Sequence, residues 1–243
     1  MLSADLNAVS FFQKGKTMKV IAIVGSPKGM QGYTGALVDP LLKALQQEGI
    51  ETDIFSLSDL TVLPCKGCQN VCHVTGACHQ KDDFEKVKQA MLAADGIIFA
   101  TPNYTLQVSA QIKALIDRCN LLLHCEQLRG KYAAVVVTSG GSDPEVVVNY
   151  LNTVITMQGL WKVGDISAVR AQFGDDDEKA NLMKAAADLG KRMAAAIKNK
   201  ETFPGQDEER NQGFEIMKFM VMMLRDEWPF AWNYWNTHWD MTE

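Results

Sequence analysis

Residues 18–34 read MKVIAIVGSPKGMQGYT, and this stretch decides the fold. Val20 to Val24 form a near-continuous apolar, mostly β-branched run, the pattern of a strand buried on both faces rather than one with a wet side. Gly25 to Thr34 then bring hydroxyls, a cation and glycines to the point where a helix should begin. Backbone N–H groups left free at a helix N-terminus suit an anionic group such as a phosphate. The next segment, TGALVDPLLKALQQEG, carries apolar residues at helical spacing, with a stop expected at Gly49 and a kink at Pro40. A buried strand, a glycine-rich turn and a helix form the first half of a βαβ unit.

The same alternation continues along the chain. ETDIFSL is a second strand; Asp82 is placed to cap a helix whose Phe84, Val87, Met91 and Ala94 share one face; GIIFAT is a third strand. Helical spacing runs from Ser109 to Leu123, YAAVVVTSG is a fourth strand, Pro144 opens a helix, WKVGDISAV is a fifth strand, and a helix covers about 178–199. Strands alternating with helices of this length predict an α/β, doubly wound, five-stranded parallel sheet with helices on both faces. Met18 would serve as a start, so 1–17 reads as an N-terminal extension, 18–200 as the α/β domain and 201–243 as a helical extension rich in aromatics.

The 243 residues are 47% hydrophobic and 22% charged, an ordinary globular balance. The net charge is −5 and the basic residues are scattered, which argues against a nucleic-acid partner. No apolar stretch approaches the roughly 20 residues of a membrane span, and no secretory signal precedes the first strand. A cytoplasmic location is therefore expected, with the six Cys as thiols or ligands rather than disulfides.

In an open α/β sheet, ligands bind beyond the carboxyl ends of the strands, where strand order reverses. Three loops fall there. The first, Gly25 to Thr34, is neither a Walker A loop nor a Rossmann G-x-G-x-x-G. The second, TPNYTLQVS at 101–109, places an aromatic ring and several hydrogen-bonding groups between a strand end and a helix start, as a flat heterocycle requires; Ser109 would also serve as a plain helix cap. The third, TSGGS at 138–142, lets the main chain approach a ligand closely through its glycines.

Taken in order, GSPKGMQGYT, PCKGC with a further Cys pair and DD, ADGIIFATPNY and VSAQIKALIDR resemble the flavodoxin-like NAD(P)H-dependent FMN reductases, in the branch that includes iron–sulfur flavoproteins. The resemblance spans roughly Met18 to Asn199. It implies an FMN-binding domain in which Ser26, Lys28, Tyr33 and Thr34 hold the phosphate, and Pro102, Asn103, Tyr104, Ser109, Ser139, Gly140 and Gly141 hold the ring system. The chain departs from the family where Thr105-Leu106-Gln107 replaces a typical aromatic-Gly-Asn. The implied activity is hydride transfer from NAD(P)H to FMN and on to a quinone, free flavin or redox partner protein, by a homodimer or homotetramer. The alternative is an electron carrier that turns over no nicotinamide. Because the flavin is the electron sink, no side chain is assigned as catalytic acid or base.

Cys65, Cys68, Cys72 and Cys78 follow C-x2-C-x3-C-x5-C in an aperiodic loop. Four thiols so close in sequence can converge on a [4Fe–4S] cluster or on zinc, or can stay uncoordinated. The neighbouring His73 and His79 read as solvated loop residues, and Cys119 and Cys125 as buried thiols. Near the C-terminus, apolar residues from Phe214 to Leu224 cover most of a helix circumference, so a subunit interface is expected there, the alternative being packing of the segment on its own domain. Trp228, Trp232, Trp235 and Trp239 then recur at spacings of 4, 3 and 4, a helical stripe.

Overall fold

The apolar run beginning at Lys19 forms β1 (Lys19–Val24), followed by α1 (Tyr33–Gln47) and β2 (Glu51–Ser56). The computed structural model describes residues 17–68, 71–141 and 143–241; the proposed N-terminal extension therefore lies, except for Thr17, outside the described residues. After β2 come the short α2 (Val71–Thr75) inside the cysteine loop, α3 (Phe84–Ala93), β3 (Gly96–Pro102), α4 (Ala110–Arg118) and α5 (Asn120–His124). The chain continues through β4 (Tyr132–Ser139), α6 (Glu145–Met157), β5 (Trp161–Val169), α7 (Asp176–Asn199), α8 (Asp207–Met223) and α9 (Pro229–His238). All five strands are parallel, in the order β2-β1-β3-β4-β5.

Period-two alternation divides the core into two layers. Val20, Ala22 and Val24, with Ile98 and Val136, pack under Leu37 and Leu41 of α1 and Met193 of α7. Ile21, Ile23, Phe99 and Val135 face the opposite way, against Met91 of α3, Leu115 of α4 and Leu151 of α6. Because β1, β3 and β4 are covered on both faces, their sequences read as unbroken apolar runs. α1 stays one helix through Pro40, and Gly49, at φ 77°, takes the left-handed conformation that ends it. Pro144 proves to be the N-cap of α6, one place before the first helical turn.

α8 and α9 build a third apolar cluster. Phe214, Met217 and Val221 of α8 meet Trp228, Ala231 and Trp235, and this group closes over Leu121 and Cys125 at α5. The chain's own body thus covers one face of α8. Ile216, Phe219 and Met223 remain on the outer face, with Phe219 at 64% exposure. Arg210, itself buried, locks the base of α8 by donating from Nε and Nη2 to the Gly159 carbonyl while its guanidinium lies 3.3 Å over the Trp161 ring. No helix among the described residues is long and apolar enough to cross a membrane.

Candidate functional site

Strand order reverses between β1 and β3, so the carboxyl edge there is the crevice of the sheet. The three loops meet at that edge through hydrogen bonds between their ends. Gly25 N donates to Ala100 O at the end of β3, and Asn103 N donates to Thr138 O at the end of β4. Thr34 Oγ1, in the first turn of α1, lies 2.7 Å from Thr138 Oγ1, and both side chains are buried. Gly25 is required by this closeness: a Cβ would sit 2.1 Å from Ile112 and 2.8 Å from Ser109 Oγ.

In the first loop, Ser26 Oγ accepts from Lys28 N and holds the turn, leaving the Lys28 side chain exposed. Gly32 is the N-cap of α1 and no side chain caps the helix, so its first N–H groups point out of the loop without a side-chain acceptor. Tyr33 leans on Phe173, in the turn after β5, with ring centroids 4.6 Å apart. In the second loop, Ser109 is fully buried and caps α4 by accepting from Ile112 N, while its own N–H donates to Thr101 Oγ1. Asn103 is buried and donates to Asp143 O; Pro102 is half-buried, whereas Tyr104 is exposed. Between them, Thr105 and Leu106 form a hairpin tip closed by paired bonds between Tyr104 and Gln107, at φ 53° and 60°. Leu106 occupies the place at which the resembling family typically has Gly, and a branched residue in the left-handed region stores strain of about 1–3 kcal/mol. In the third loop, Ser139 is buried, and space beyond Gly140 and Gly141 is open enough that a Cβ on either would meet nothing. Uncapped amides on one side and open glycines on the other fit a phosphate and a planar ring. A groove of about 620 Å³ adjoins the first loop at Lys28 and Gly29 and runs toward the β2 edge past Ser56, Asp59 and Lys86.

The cysteine loop is a second centre. Cys65, Cys68, Cys72 and Cys78 all line one cavity of about 70 Å³, together with Lys88, Arg118 and Leu122. Among the described residues, no three His, Cys, Asp or Glu side chains stand at the spacing of a single bound metal ion. A cubane holds its thiolates farther apart than one ion does, and the four thiols around this shared cavity match its ligand number. Burial, then the neighbouring Cys68 and Cys78, push the Cys72 thiol up from its ordinary value.

Both ends of this loop are held by charge. Arg118, at the end of α4, forms a two-bonded ion pair with Asp82 at 2.7 and 3.1 Å and donates to Leu63 O. Asp82 also accepts from Leu63 N and Phe84 N, and Asp83 accepts from Thr61 N. The Arg118 hydrogen bond, above all, holds Asp82 below the usual carboxylate range. The two adjacent acids of the sequence thus tie the irregular segment at Thr61 and Leu63, before the loop, to the start of α3 after it.

One reading of the sequence is corrected here. His79 is exposed, as expected, but His73 is wholly buried. Its Nδ1 lies 3.5 Å from Cys72 Sγ, its Nε2 is 2.7 Å from His124 Nδ1, and Trp228 stacks on both imidazoles. Burial, then His73, depress His124 to about 4, so that ring is neutral near pH 7. Cys119 and Cys125 are buried thiols, pushed up to about 12 by burial. Arg118, His124 and Trp228 were not legible as site residues; the acid pair DD, lacking a partner in its own loop, was the one sequence signal for Arg118.

A sheet of order 2-1-3-4-5 with three linked loops at its switch point defines a flavodoxin-like α/β protein. The model of the NADPH-dependent FMN reductase family matches residues 18–175. An iron–sulfur flavoprotein of Archaeoglobus fulgidus is 32% identical over 213 residues, covering 86% of this chain and 92% of its own. Another, from Methanocaldococcus jannaschii, is 36% identical over 191 residues and covers 74% and 98%. Among solved structures, the NAD(P)H:quinone oxidoreductase from Methanothermobacter marburgensis superposes with a TM-score of 0.58 at 13% identity, covering 73% of this chain and 98% of that one. The apo form of an NADH:FMN oxidoreductase superposes with a TM-score of 0.55 at 23% identity, covering 72% and 89%. These structural likenesses speak to the fold. The chain belongs to the NADPH-dependent FMN reductase family, and is a flavoprotein oxidoreductase.

Proposed function

We propose that the three linked loops bind FMN, that NAD(P)H reduces it there, and that a quinone, a free flavin or a redox partner protein takes the electrons. The observation that carries this reading is the buried Thr34–Thr138 contact, which joins the uncapped start of α1 to the end of β4, just before Gly140 and Gly141. FMN, when bound, supplies the electron sink for hydride. The chain's own task is to bind, orient and polarise. The α1 amides with Ser26, Lys28, Tyr33 and Thr34 take the phosphate; Pro102, Asn103, Tyr104 and Ser109 frame the ring from the second loop, with Ser109 fixing the loop as a cap. The Gly140 N–H would offset negative charge that develops on the ring's pyrimidine side, as a donor at an oxyanion site does, while Gly141 N donates to Ser139 Oγ at 3.4 Å and holds the turn.

Cys65, Cys68, Cys72 and Cys78 are the residues that would hold a [4Fe–4S] cluster, a one-electron store. α4 runs from the Ser109 cap to Arg118 at the cysteine cavity, about 13 Å for its nine residues at 1.5 Å each. The four-thiol cavity also favours the second reading, an electron carrier without nicotinamide turnover. Incubation with FMN followed by gel filtration tests the first claim: retained, fluorescence-quenched flavin is expected, and a protein that emerges colourless loses this reading.

A further inference from the structure

The groove beside the first loop lies outside the flavin site proper, yet it shares a residue with it. Its walls come from Lys28 to Gln31 of that loop, from Asp53 to Leu60 along and just after β2, and from Lys86 of α3. β2 is an edge strand, so no further strand covers this side of the sheet. The loop seats tightly on the strand end: Gly29, at φ 52°, lies so close that a Cβ would stand 3.0 Å from Ser56 Oγ and 3.2 Å from Ser58 Oγ. The groove therefore opens directly beside the phosphate end of the first loop. At about 620 Å³ it has the size of a small-ligand site.

Its polar groups divide by what they can offer a ligand. Lys28 and Lys86 are exposed, and neither enters an ion pair among the described residues. Three amides on this side are already spent, Lys28 N on Ser26 Oγ, Gly29 N on Ser26 O and Gln31 N on Lys28 O, so an anion here would be met by the ammonium groups. Ser58 Oγ donates its one proton to Asp59 Oδ1 at 3.1 Å, so in its 2.7 Å contact with Ser56 Oγ it is Ser56 that donates. Ser56 Oγ and the other Asp59 oxygen remain as acceptors, suited to hydroxyl or amino groups. Asp53, by contrast, is engaged with Lys19 at 3.6 Å. Ile54, 42% exposed, and Leu60 add an apolar wall. Cations, acceptors and an apolar wall in one groove match a phosphate, the diol of a ribose and a heterocyclic base. An inorganic phosphate would use only the first of these and be repelled by Asp59.

We propose that this groove is an adenylate subsite and that the chain accepts FAD: the flavin mononucleotide half occupies the three loops, and the adenosine monophosphate half lies along the end of β2. This rests on the flavin reading of the three loops made above. Lys28 belongs both to the first loop and to the groove, so it stands where the two phosphates of FAD are joined, with Lys86 as the second cation for that charge. Asp59 and Ser56 accept from the ribose hydroxyls or the base amino group, and Ile54 and Leu60 cover the base. A nicotinamide dinucleotide carries the same adenylate, but its phosphates have no bond to the flavin's own; the shared Lys28 favours FAD.

Calorimetric titration of the flavin-free, full-length protein with FMN and with FAD tests it. FAD is expected to bind about 10-fold or more tighter than FMN, since one added hydrogen bond to a charged group is enough for that. Ser58→Trp, which fills the groove, and Lys86→Ala, which removes its second cation, should each erase most of that gain and leave FMN affinity unchanged. FAD binding no tighter than FMN overturns the proposal, and so does a gain that both variants leave intact. If Ser58→Trp does not fold, Lys86→Ala, an exposed position on α3, carries the test alone. The KM for NADH and for NADPH, measured on the FMN-loaded protein and its variants, separates the other source of adenylate: a KM raised in both variants while FAD affinity stays at the parent value assigns the groove to the nicotinamide dinucleotide and overturns the claim for FAD. A protein that binds neither flavin loses the reading of the three loops and this inference with it, whereas one that binds FMN without a gain for FAD loses this inference alone.

Discussion

The loops at the sheet edge and the cysteine loop are built in opposite ways. The first three are held by the strands that deliver them, through main-chain bonds such as Asn103 N to Thr138 O. Among its described residues the cysteine loop has almost no regular structure of its own, only α2, and it depends on Arg118 from α4 and Trp228 and Phe230 from the C-terminal extension. A site on strand ends inherits its precision from the sheet; a site on a long loop must import it from side chains remote in sequence. Variants should therefore separate the two.

The largest effect belongs to the extension as a whole. Truncation after Gly205 deletes α8 and α9 and uncovers Leu121, His73 and His124. Each of the buried side chains lost contributes roughly 1.5–3 kcal/mol, so their sum is comparable to the stability of a whole domain. Insoluble protein, or soluble protein without iron–sulfur absorbance, is the expected yield. A soluble truncation with an intact cluster would show the cysteine loop to be self-sufficient. Next come single removals at the cysteine loop. Trp235→Ala deletes a fully buried side chain and should cost about 3–5 kcal/mol by urea unfolding. Arg118→Met strands Asp82, whose side chain is 1% exposed, at a cost of about 3–5 kcal/mol. In whichever variants still fold, iron and sulfide should be lost before FMN; simultaneous loss would erase the distinction between the regions.

At the sheet edge, Thr34→Val removes a hydroxyl from the phosphate end and should weaken FMN binding by about 1.5–3 kcal/mol, roughly 10- to 100-fold, with cluster content unchanged. Fluorescence titration against Lys200→Ala as a surface control measures it. The most gradual effect is a pH dependence at the base of α8. Burial raises Glu126 to about 7 despite Arg129 at 3.2 Å. A carboxyl raised above its unfolded value of 4.5 favours folding while protonated, so its contribution is full below about 4.5 and is lost as pH rises through about 7. The slope is at most about 1.4 kcal/mol per pH unit. Urea midpoints of Glu126→Gln should lack that decline, and an identical profile in both proteins would remove Glu126 as its source.

The contrast also explains what the sequence disclosed. β5 appears at Trp161–Val169, where its pattern placed it, and α7 starts at Asp176, two residues before the expected point, because Asp175 caps it through Asp177 N and Glu178 N. The loops after β1, β3 and β4 were readable because strand, turn chemistry and helix start are contiguous. His73 was misread because nothing near it in sequence is apolar enough to bury it; its cover is Trp228. The tryptophan stripe announced a packed surface, but spacing alone did not say against what. Leu106 at φ 60° was equally hidden, since Leu gives no sign of the left-handed region that Gly or Asn would.

The central claim, that FMN on these three loops accepts electrons from nicotinamide, is tested most directly by anaerobic stopped-flow mixing of the FMN-loaded protein with NADH and with NADPH, followed at the flavin's visible bands. Loss of absorbance with at least one nicotinamide, and its return on adding a quinone or free flavin, is the predicted result. A bound flavin that dithionite bleaches but that excess NADH and NADPH both leave oxidised would contradict it and favour the electron carrier.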